Sequence, residues 1–215
     1  MKFLIVSGGD VQDSFVTELI KNEGFDVLMA ADSGMDCFYR IDIKPDVIVG
    51  DFDSAQSKTL DYFRGFEQIE LCTLNTEKDD TDTEFAIREA IRRDADDIVL
   101  VGATGTRIDH VLGNICLLGI GLEEKISICL MDPHNRIRMI DSPLVIRKKE
   151  QYGKYVSLLP FSDRVEGVTL TGFKYPLSDD TMGGFNSLGI SNEIIEEEAV
   201  ISLTGGHLLV VESKD

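Results

Sequence analysis

Short runs of apolar residues alternate with stretches of helical periodicity through the first two thirds of the chain. The expected strands are 3–7, 26–31, 47–50, 69–74, 98–102 and 126–131. The expected helices begin after Asp10, begin at Ser33, and cover 56–63, 81–93 and 111–122. Strands that are apolar throughout and separated by helices are typical of a parallel sheet covered on both faces.

The pattern changes near residues 132–135, after which no amphipathic helix of useful length follows. The remaining apolar runs are short and predict strands at 137–140, 144–146, 155–159, 168–170, 200–203 and 208–211. The segment Thr204-Gly205-Gly206-His207 predicts a hairpin between the last two. We therefore predict an α/β domain with a Rossmann-like, mostly parallel sheet over residues 1–134 and a small antiparallel β domain over residues 141–215.

Composition narrows the class of partner and the compartment. The 215 residues carry a formal net charge of −18, which argues against binding a nucleic-acid backbone but allows a nucleotide held through a metal ion. The first residues are too few for a secretion signal, and no apolar run approaches the ~18 residues of a membrane span. Four scattered cysteines lack metal-site spacing, and Cys72, Cys116 and Cys129 fit a core role. We expect a cytoplasmic protein with no membrane or nucleic-acid partner.

Acidic residues recur where predicted strands end. They are Asp32 after the second strand, Asp51 and Asp53 after the third, Asp79, Asp80 and Asp82 after the fourth, and Asp109 after the fifth. The carboxyl ends of parallel strands share one edge, where ligands of open α/β sheets bind. Two carboxylates ~4 Å apart repel by about 4 kcal/mol at an effective dielectric constant near 20. Hard oxygen ligands favour Mg²⁺, Mn²⁺ or Ca²⁺, and Mg²⁺ often completes its shell with substrate phosphate.

Each of these residues alone has an ordinary structural interpretation. An aspartate after a strand usually caps the next helix, as Asp80 or Thr81 would, and a single arginine such as Arg107 is usually a surface residue. Ser7-Gly8-Gly9-Asp10 fits a tight turn better than a phosphate loop, and neither a P-loop nor a Gly-x-Ser-x-Gly elbow occurs. The coincidence of four acidic loops is what favours a metal-phosphate site.

Several of these segments together resemble thiamine pyrophosphokinase. The matching segments, in the family's order, are Ala31-Asp32-Ser33-Gly34, Lys44-Pro45-Asp46, Gly50-Asp51-Phe52-Asp53-Ser54, Lys78-Asp79-Asp80-Thr81-Asp82, Gly105-Thr106-Arg107-Ile108-Asp109-His110, Gly172-Phe173-Lys174-Tyr175-Pro176-Leu177 and Gly189-Ile190-Ser191-Asn192-Glu193. Two positions depart from the family's pattern. Thr106 stands where a second glycine is usual, and Tyr175 stands where tryptophan is frequent.

The resemblance implies an enzyme that uses Mg²⁺ to transfer the diphosphoryl group of ATP to the hydroxyl of thiamine. It also implies a C-terminal β-sandwich, a homodimer, and a pocket at the dimer interface that Ser191 and Asn192 reach from the partner. The implied metal ligands are Asp51, Asp53 and Asp79, which act in catalysis with Asp82, Arg107 and Asp109. The implied nucleotide contacts are Asp32, Ser33, Asp80, Thr81, Arg107 and His110, and the implied thiamine contacts are Tyr175, Ser191 and Asn192. Asp79 and Asp109 are the candidates for general base.

Three other functions use similar residues. A phosphohydrolase of the haloacid-dehalogenase type uses an Asp-x-Asp motif, although after its first strand rather than its third. A diphosphokinase acting on a pterin alcohol would use the same acidic edge. A non-catalytic protein could bind thiamine or a metal-nucleotide for sensing. Thiamine-dependent consumption of ATP separates these alternatives.

Overall fold

The computed structural model describes residues 1–52, 57–73 and 80–215, which fall into two units, Met1–Pro133 and His134–Asp215. The second unit begins with a strand over Asn135–Ile140. That strand lies between the two domains predicted from the sequence.

A six-stranded parallel sheet forms the centre of the first unit. Its strands are β1 (Lys2–Val6), β2 (Val27–Ala31), β3 (Val47–Gly50), β4 (Glu70–Thr73), β5 (Asp97–Val101) and β6 (Ser127–Met131), in the order β6-β5-β1-β2-β3-β4. The chain adds β2, β3 and β4 on one side of β1 and then returns to place β5 on the other side. This reversal makes the carboxyl ends of β1 and β5 the switch point at which open α/β sheets bind ligands.

Five helices connect these strands. They are α1 (Asp13–Glu23), α2 (Met35–Arg40), α3 (Ser57–Arg64), α4 (Asp82–Arg92) and α5 (Ile108–Glu124). Helix α4 packs on β1, β2 and β3, and α5 packs on β6. The side chains of Phe3, Leu4, Ile5 and Val6 in β1 are all fully buried, as expected for a strand covered on both faces. Burial stabilises each such large apolar side chain by about 1.5–3 kcal/mol.

The predicted α/β class and all six strands of this unit are confirmed, but the start of the first helix is wrong. Helix α1 begins at Asp13 with Gln12 at its N-cap, not directly after Asp10. The backbone N–H of Asp10 instead donates to the carbonyl of Thr104 at 3.0 Å. This bond holds the turn after β1 against the β5–α5 loop, and α1 starts two residues later than expected.

The second unit is a sandwich of two antiparallel sheets. Its strands are β7 (Asn135–Ile140), β8 (Leu144–Arg147), β9 (Tyr155–Pro160), β10 (Arg164–Thr171), β11 (Leu177–Gly183), β12 (Asn192–Glu193), β13 (Glu198–Ser202) and β14 (Leu208–Ser213). Within the unit one sheet has the order β12-β9-β14-β7 and the other β11-β10-β13-β8. Their inner faces share one core, which includes Val156, Leu158, Val168, Ile201 and Val210. The sandwich implied by the resemblance is thus confirmed.

The predicted hairpin between residues 200–203 and 208–211 is wrong. Strand β13 pairs with β10 and β8, whereas β14 pairs with β7 and β9 in the other sheet. Each strand has one apolar face, and Ile201 and Val210 are both fully buried in the common core. Because the strands lie in opposite sheets, these faces bury each other across the sandwich, which an edge-to-edge hairpin would not allow.

None of the helices in the described parts of the chain is long and apolar enough to cross a membrane. All four cysteines are free. Cys37 and Cys129 are buried, but Cys116 is exposed on α5, so its predicted core role is wrong. Its helix also exposes Ile108 and Leu112, at intervals of four residues, to solvent.

Candidate active site

A cavity of about 740 Å³ lies at the carboxyl ends of β1 and β5, where the sheet reverses direction. Its walls are the turns after β1 and β2, the β5–α5 loop, and the first turns of α4 and α5. Six of the residues predicted from the sequence line it: Asp32, Ser33, Thr81, Asp82, Arg107 and His110. Loops far apart in the sequence therefore do bring acidic and basic side chains to one site.

A second cavity, of about 350 Å³, adjoins the first between α4 and α5. Asp109 lines it, and the two cavities share Thr81 and His110. Asp51 and Asp80 line neither cavity. Asp53 and Asp79, which were predicted as metal ligands with Asp51, lie outside the described residues.

The turn after β2 is packed tightly against the end of β1. A Cβ atom added to Gly34 would lie 1.9 Å from the carbonyl oxygen of Val6, and one added to Gly8 would lie 2.0 Å from Oγ of Ser33. Within this turn Asp32 has φ of 45° and is only 6% exposed. Asp tolerates this left-handed conformation better than most residues, and backbone strain of this kind clusters at functional sites. Close packing at the cavity therefore explains why a small residue stands at Gly34 and why Asp32 adopts a left-handed conformation.

The end of β3 meets the same turn. A Cβ atom added to Gly50 would lie 3.1 Å from Cα of Asp32, and Gly50 has φ of 155°. The next two residues, Asp51 and Phe52, follow directly, and Phe52 has φ of 64°. The acidic segment after β3 thus leaves the sheet beside Asp32, on the side of the cavity away from β5.

Arg107 and Asp109 form an ion pair at the start of α5. The Nε atom of Arg107 donates to Oδ1 of Asp109 at 3.2 Å, and its terminal nitrogen donates to Oδ2 at 2.5 Å. The pairing with Arg107 lowers the pKa of Asp109 below its ordinary value. The two side chains are 69% and 66% exposed, and ion pairs as exposed as this add little stability. A phosphate group could therefore replace Asp109 as the partner of the Arg107 guanidinium at a small cost in free energy, since it binds the same planar donors.

Helix α4 begins at the cavity, and the backbone N–H groups of its first turn are at that end of the helix. Thr81 is the N-cap and accepts a hydrogen bond from the backbone N–H of Glu84 at 3.2 Å, which confirms the capping role considered for it. Asp82 occupies the first turn. The positive end of a helix dipole stabilises carboxylates and also phosphate groups. The start of α4 can thus hold a carboxylate or a phosphate group.

Sequence reasoning missed several residues of the cavity wall. Oγ of Ser7 lies 3.0 Å from Oγ1 of Thr83, 76 positions away, and both residues line the first cavity. Asn114 lines both cavities and donates to the carbonyl of Ala103 at 2.8 Å. No local signal in the sequence reveals such contacts. The packing of α4 on β1 brings Ser7 and Thr83 together, and the turn from β5 into α5 brings Ala103 and Asn114 together.

The described residues include carboxylates in the cavity wall but no complete group of metal ligands. Carboxylate oxygens of Asp32 and Asp82, which are donors that Mg²⁺ prefers, belong to residues of the cavity wall. Among residues 1–52, 57–73 and 80–215, no three His, Cys, Asp or Glu side chains are grouped so that they could hold a metal ion. The metal site formed by Asp51, Asp53 and Asp79 stays a prediction.

The predicted thiamine contacts lie in the second unit. Tyr175 is 60% exposed, whereas Asn192 is 4% exposed. The side-chain amide of Asn192 accepts from the backbone N–H of Tyr175 at 3.0 Å and donates to its carbonyl at 2.7 Å. Ser191 is exposed, has φ of 58°, and its N–H donates to Oγ of Ser157 at 2.9 Å. Asn192 thus fixes the backbone from which the Tyr175 ring projects, and contact of the three residues with thiamine stays a prediction.

Two family profiles match the chain in the two units. One is described as "Thiamin pyrophosphokinase, catalytic domain" and matches residues 17–130. The other is described as "Thiamin pyrophosphokinase, vitamin B1 binding domain" and matches residues 143–208. The cavity and the exposed Tyr175 therefore lie in segments that match different domains.

Individual proteins resemble the chain over most or all of its length. A thiamine pyrophosphokinase of Bacillus subtilis is 35% identical over 189 residues, which are 87% of each chain. The crystal structure of a thiamine pyrophosphokinase from the same species superimposes over the whole of both chains with a TM-score of 0.89 and 32% identity. A thiamin pyrophosphokinase structure from Geobacillus thermodenitrificans gives a TM-score of 0.87 and 31% identity, over 100% of this chain and 98% of that one.

Proposed function

This chain belongs to the thiamine pyrophosphokinase family, and from that membership we propose that ATP binds in the switch-point cavity and gives its diphosphoryl group to thiamine. The enzyme class expected from the sequence, a thiamine diphosphokinase, is confirmed by the family. The phosphohydrolase, the pterin-alcohol diphosphokinase and the non-catalytic sensor are not favoured, because both matched profiles are those of thiamine pyrophosphokinase.

The observation that carries the location of ATP is the cavity at the β1–β5 switch point. It combines an arginine, a helix start and close-packed glycines, which are the features that phosphate groups need. Arg107 stands on one wall and the first turn of α4 on another. Ser33 and His110 also line the cavity and would contact the nucleotide with Thr81. Asp80 lies outside the cavity wall and belongs with the segment that precedes α4.

In the proposed reaction the hydroxyl oxygen of thiamine attacks the β-phosphorus of ATP. A new bond forms between these atoms, the bond from the β-phosphorus to the oxygen that bridges to the α-phosphorus breaks, and AMP leaves with the electron pair. The hydroxyl proton passes to a base. The candidates for this base stay Asp79 and Asp109. The ion pair with Arg107 lowers the pKa of Asp109 only while the two side chains are paired, and until ATP arrives Asp109 would orient Arg107.

Asp51, Asp53 and Asp79 would hold Mg²⁺, with Asp32 and Asp82 nearby in the cavity wall. When bound, the ion neutralises charge on the phosphates and aligns them for transfer. Asp82, at the start of α4, would help to complete the polar wall around the nucleotide. Arg107 would donate to phosphate oxygens once it leaves Asp109.

The second unit would supply the contacts to thiamine, as a vitamin B1 binding domain. The exposed ring of Tyr175 offers a face on which the pyrimidine ring of thiamine could stack. Ser191 and Asn192 would complete this site, with Asn192 acting through the Tyr175 backbone. We further propose a homodimer in the cytoplasm. The dimer is supported by Phe185, Leu188 and Ile190, three solvent-exposed apolar residues close in the sequence of this unit, since exposed apolar patches often mark protein interfaces.

The central experiment supplies the protein with Mg-ATP and thiamine and identifies the products. We expect AMP and thiamine diphosphate in equal amounts, and no products after chelation of the metal until Mg²⁺ is restored. Formation of ADP and thiamine monophosphate would contradict the assigned reaction. Binding of thiamine without any consumption of ATP would instead indicate a sensor.

A matched pair of variants tests the metal ligands. Asp53→Asn should lower turnover about 100-fold or more, the range seen when one group that stabilises developing charge is removed. Asp61→Asn is the control, because Asp61 is exposed on α3 and pairs only with exposed Arg64 at 3.5 Å among the ion pairs described. Equal activity of the two variants would remove Asp53 from the metal site.

A further inference from the structure

The β5–α5 loop, Gly102–Arg107, is fixed by hydrogen bonds to three successive carbonyl groups. The carbonyl of Gly102 accepts from the N–H of Gly9 at 2.8 Å, and that of Thr104 accepts from the N–H of Asp10 at 3.0 Å. Between them, the carbonyl of Ala103 accepts from Nδ2 of Asn114 at 2.8 Å. Two of the three donors are backbone groups after β1, and the third is a side chain on α5.

Asn114 is well placed to connect this loop to the helix that carries the functional residues. It follows His110 by four positions on α5, and both residues line the two cavities. The carbonyl of Ala103 can only accept, so the nitrogen end of the Asn114 amide must face it. Ala103 itself is 2% exposed, so loss of this donor would leave a buried carbonyl without its partner, which is costly.

The position of Asn114 in its helix points the same way. Asparagine is a poorer helix former than leucine or alanine, yet it stands within α5, where the neighbouring residues 115–118 are Ile-Cys-Leu-Leu. Its amide is used across the cavity wall rather than along the helix. A local cost is thus offset by a contact with the loop that ends in Arg107.

We propose that Asn114 is a positioning residue for ATP. It would hold the start of the Gly102–Arg107 loop, so that Arg107 and the loop meet the phosphate groups in one arrangement. The proposal rests on the proposed function, because it assumes that this cavity binds ATP. It assigns to Asn114 an effect on ATP affinity and no contact with thiamine.

The test compares Asn114→Ala and Asn114→Asp with the parent protein in steady-state assays of AMP formation. Both variants lack the N–H donor, and Asp keeps the size of Asn. We expect the KM for Mg-ATP to rise about tenfold, because in the variants the binding of ATP must order a loop that the Asn114 bond already orders in the parent. The KM for thiamine should stay within about twofold. Asn22→Asp, an exposed position on α1, is the control and should match the parent.

The outcomes separate this proposal from its alternatives. A purely structural role would lower the amount of folded protein, and hence kcat, and would leave both KM values unchanged, which would overturn the proposal. Parent-like KM for Mg-ATP in both variants would also overturn it. If Asn114→Ala does not fold by circular dichroism, Asn114→Asp and direct calorimetric titration with Mg-ATP decide the question. A parent protein that makes no thiamine diphosphate would refute the proposed function instead.

Discussion

Gly9→Ala should damage catalysis while leaving most of the fold intact. Gly9 lies in the turn after β1, where its N–H donates to the carbonyl of Gly102. An added Cβ atom would lie 2.3 Å from that carbonyl oxygen and 2.6 Å from the carbonyl oxygen of Thr104. Real Cβ atoms essentially never approach closer than 3.0 Å. The loop must therefore retreat by about 0.7 Å to reach 3.0 Å from its present 2.3 Å.

The size of the effect follows from what this retreat changes. The same two carbonyls accept the hydrogen bonds from Gly9 and Asp10, and weakening both should cost about 2 kcal/mol of unfolding free energy. For a chain of this size that corresponds to a fall in Tm of about 4–8 °C. A misplacement approaching 1 Å at groups that position substrate can lower turnover about 100-fold. We expect kcat/KM for Mg-ATP to fall by about that factor.

The assay measures AMP formation by Gly9→Ala, with thermal unfolding monitored in parallel. Gly205→Ala is the matched control, because a Cβ atom at Gly205 meets no atom within 4 Å. It should keep parent activity and Tm. A Gly9→Ala protein with parent-like kcat/KM would refute the claim that contact between the two loops shapes the active site. Equal losses in both variants would refute it too.

Three further predictions concern separate contacts. Glu212→Gln should cost about 3 kcal/mol, seen as a lower Tm, because the fully buried Glu212 carboxylate pairs with Arg136 and Arg138. Burial raises the pKa of Glu212. The hydrogen bond from Arg136, the charge of Arg138 and the N–H of Tyr152 together lower it by more than burial raises it, so the pKa is below its ordinary value. That stability is present above the unfolded pKa of about 4.3 and is lost as pH falls through the lower folded pKa, so the Tm difference from the parent should shrink in acid; a constant difference would contradict this. Thr81→Ala should cost about 1 kcal/mol through loss of the α4 cap, measured by urea unfolding, and an unchanged midpoint would show that the cap is dispensable. Asp109→Asn should leave Tm unchanged, because its ion pair with Arg107 is exposed, while turnover falls about tenfold as Arg107 loses its orientation; unchanged turnover would remove Asp109 from the site.

Much of the fold follows from local patterns that the sequence displays. Strand β3 was predicted at the residues where it occurs, 47–50, because it consists of three apolar side chains and a glycine, and all four residues are buried. Helix α4 was predicted from Phe85, Ile87, Ala90 and Ile91 as its inward side, of which Ile87 and Ala90 are fully buried, and Thr81 supplies its cap. In both cases the signal lies within a few consecutive residues.

The errors concern which segments pair. A hairpin was expected because β13 and β14 have the right length, turn and alternation for one. They lie in opposite sheets instead, where the inner faces of both strands are buried in the common core. Helix α1 starts two residues later than expected, after a turn in which the N–H of Asp10 contacts the carbonyl of Thr104. The strand partners and the Thr104 contact are distant in the sequence, so a local pattern cannot reveal them.

The candidate site divides in the same way. Asp32, Asp82 and Arg107 were found because each follows a recognisable strand or begins a recognisable helix, and topology then brings them to one cavity. The Ser7–Thr83 pair was missed because the two residues are far apart in the sequence, and Asn114 was missed because its role depends on how the β5–α5 loop folds back on the helix. An Asn within a helix and a Ser at the end of a strand are individually unremarkable.

Charge explains why the glycine-rich turns matter as much as the acidic residues. ATP is a polyanion, yet the chain has a net charge of −18, and Asp10, Asp32 and Asp82 line the cavity beside Arg107. Simple attraction would favour the thiazolium cation of thiamine over ATP. In the proposed function, phosphate would therefore be recognised by groups that act at short range, namely a guanidinium fork, helix-start amides and a bridging divalent cation. Such groups work only when their positions are fixed closely, and the packing of Gly9 on the carbonyls of Gly102 and Thr104 supplies that fixation.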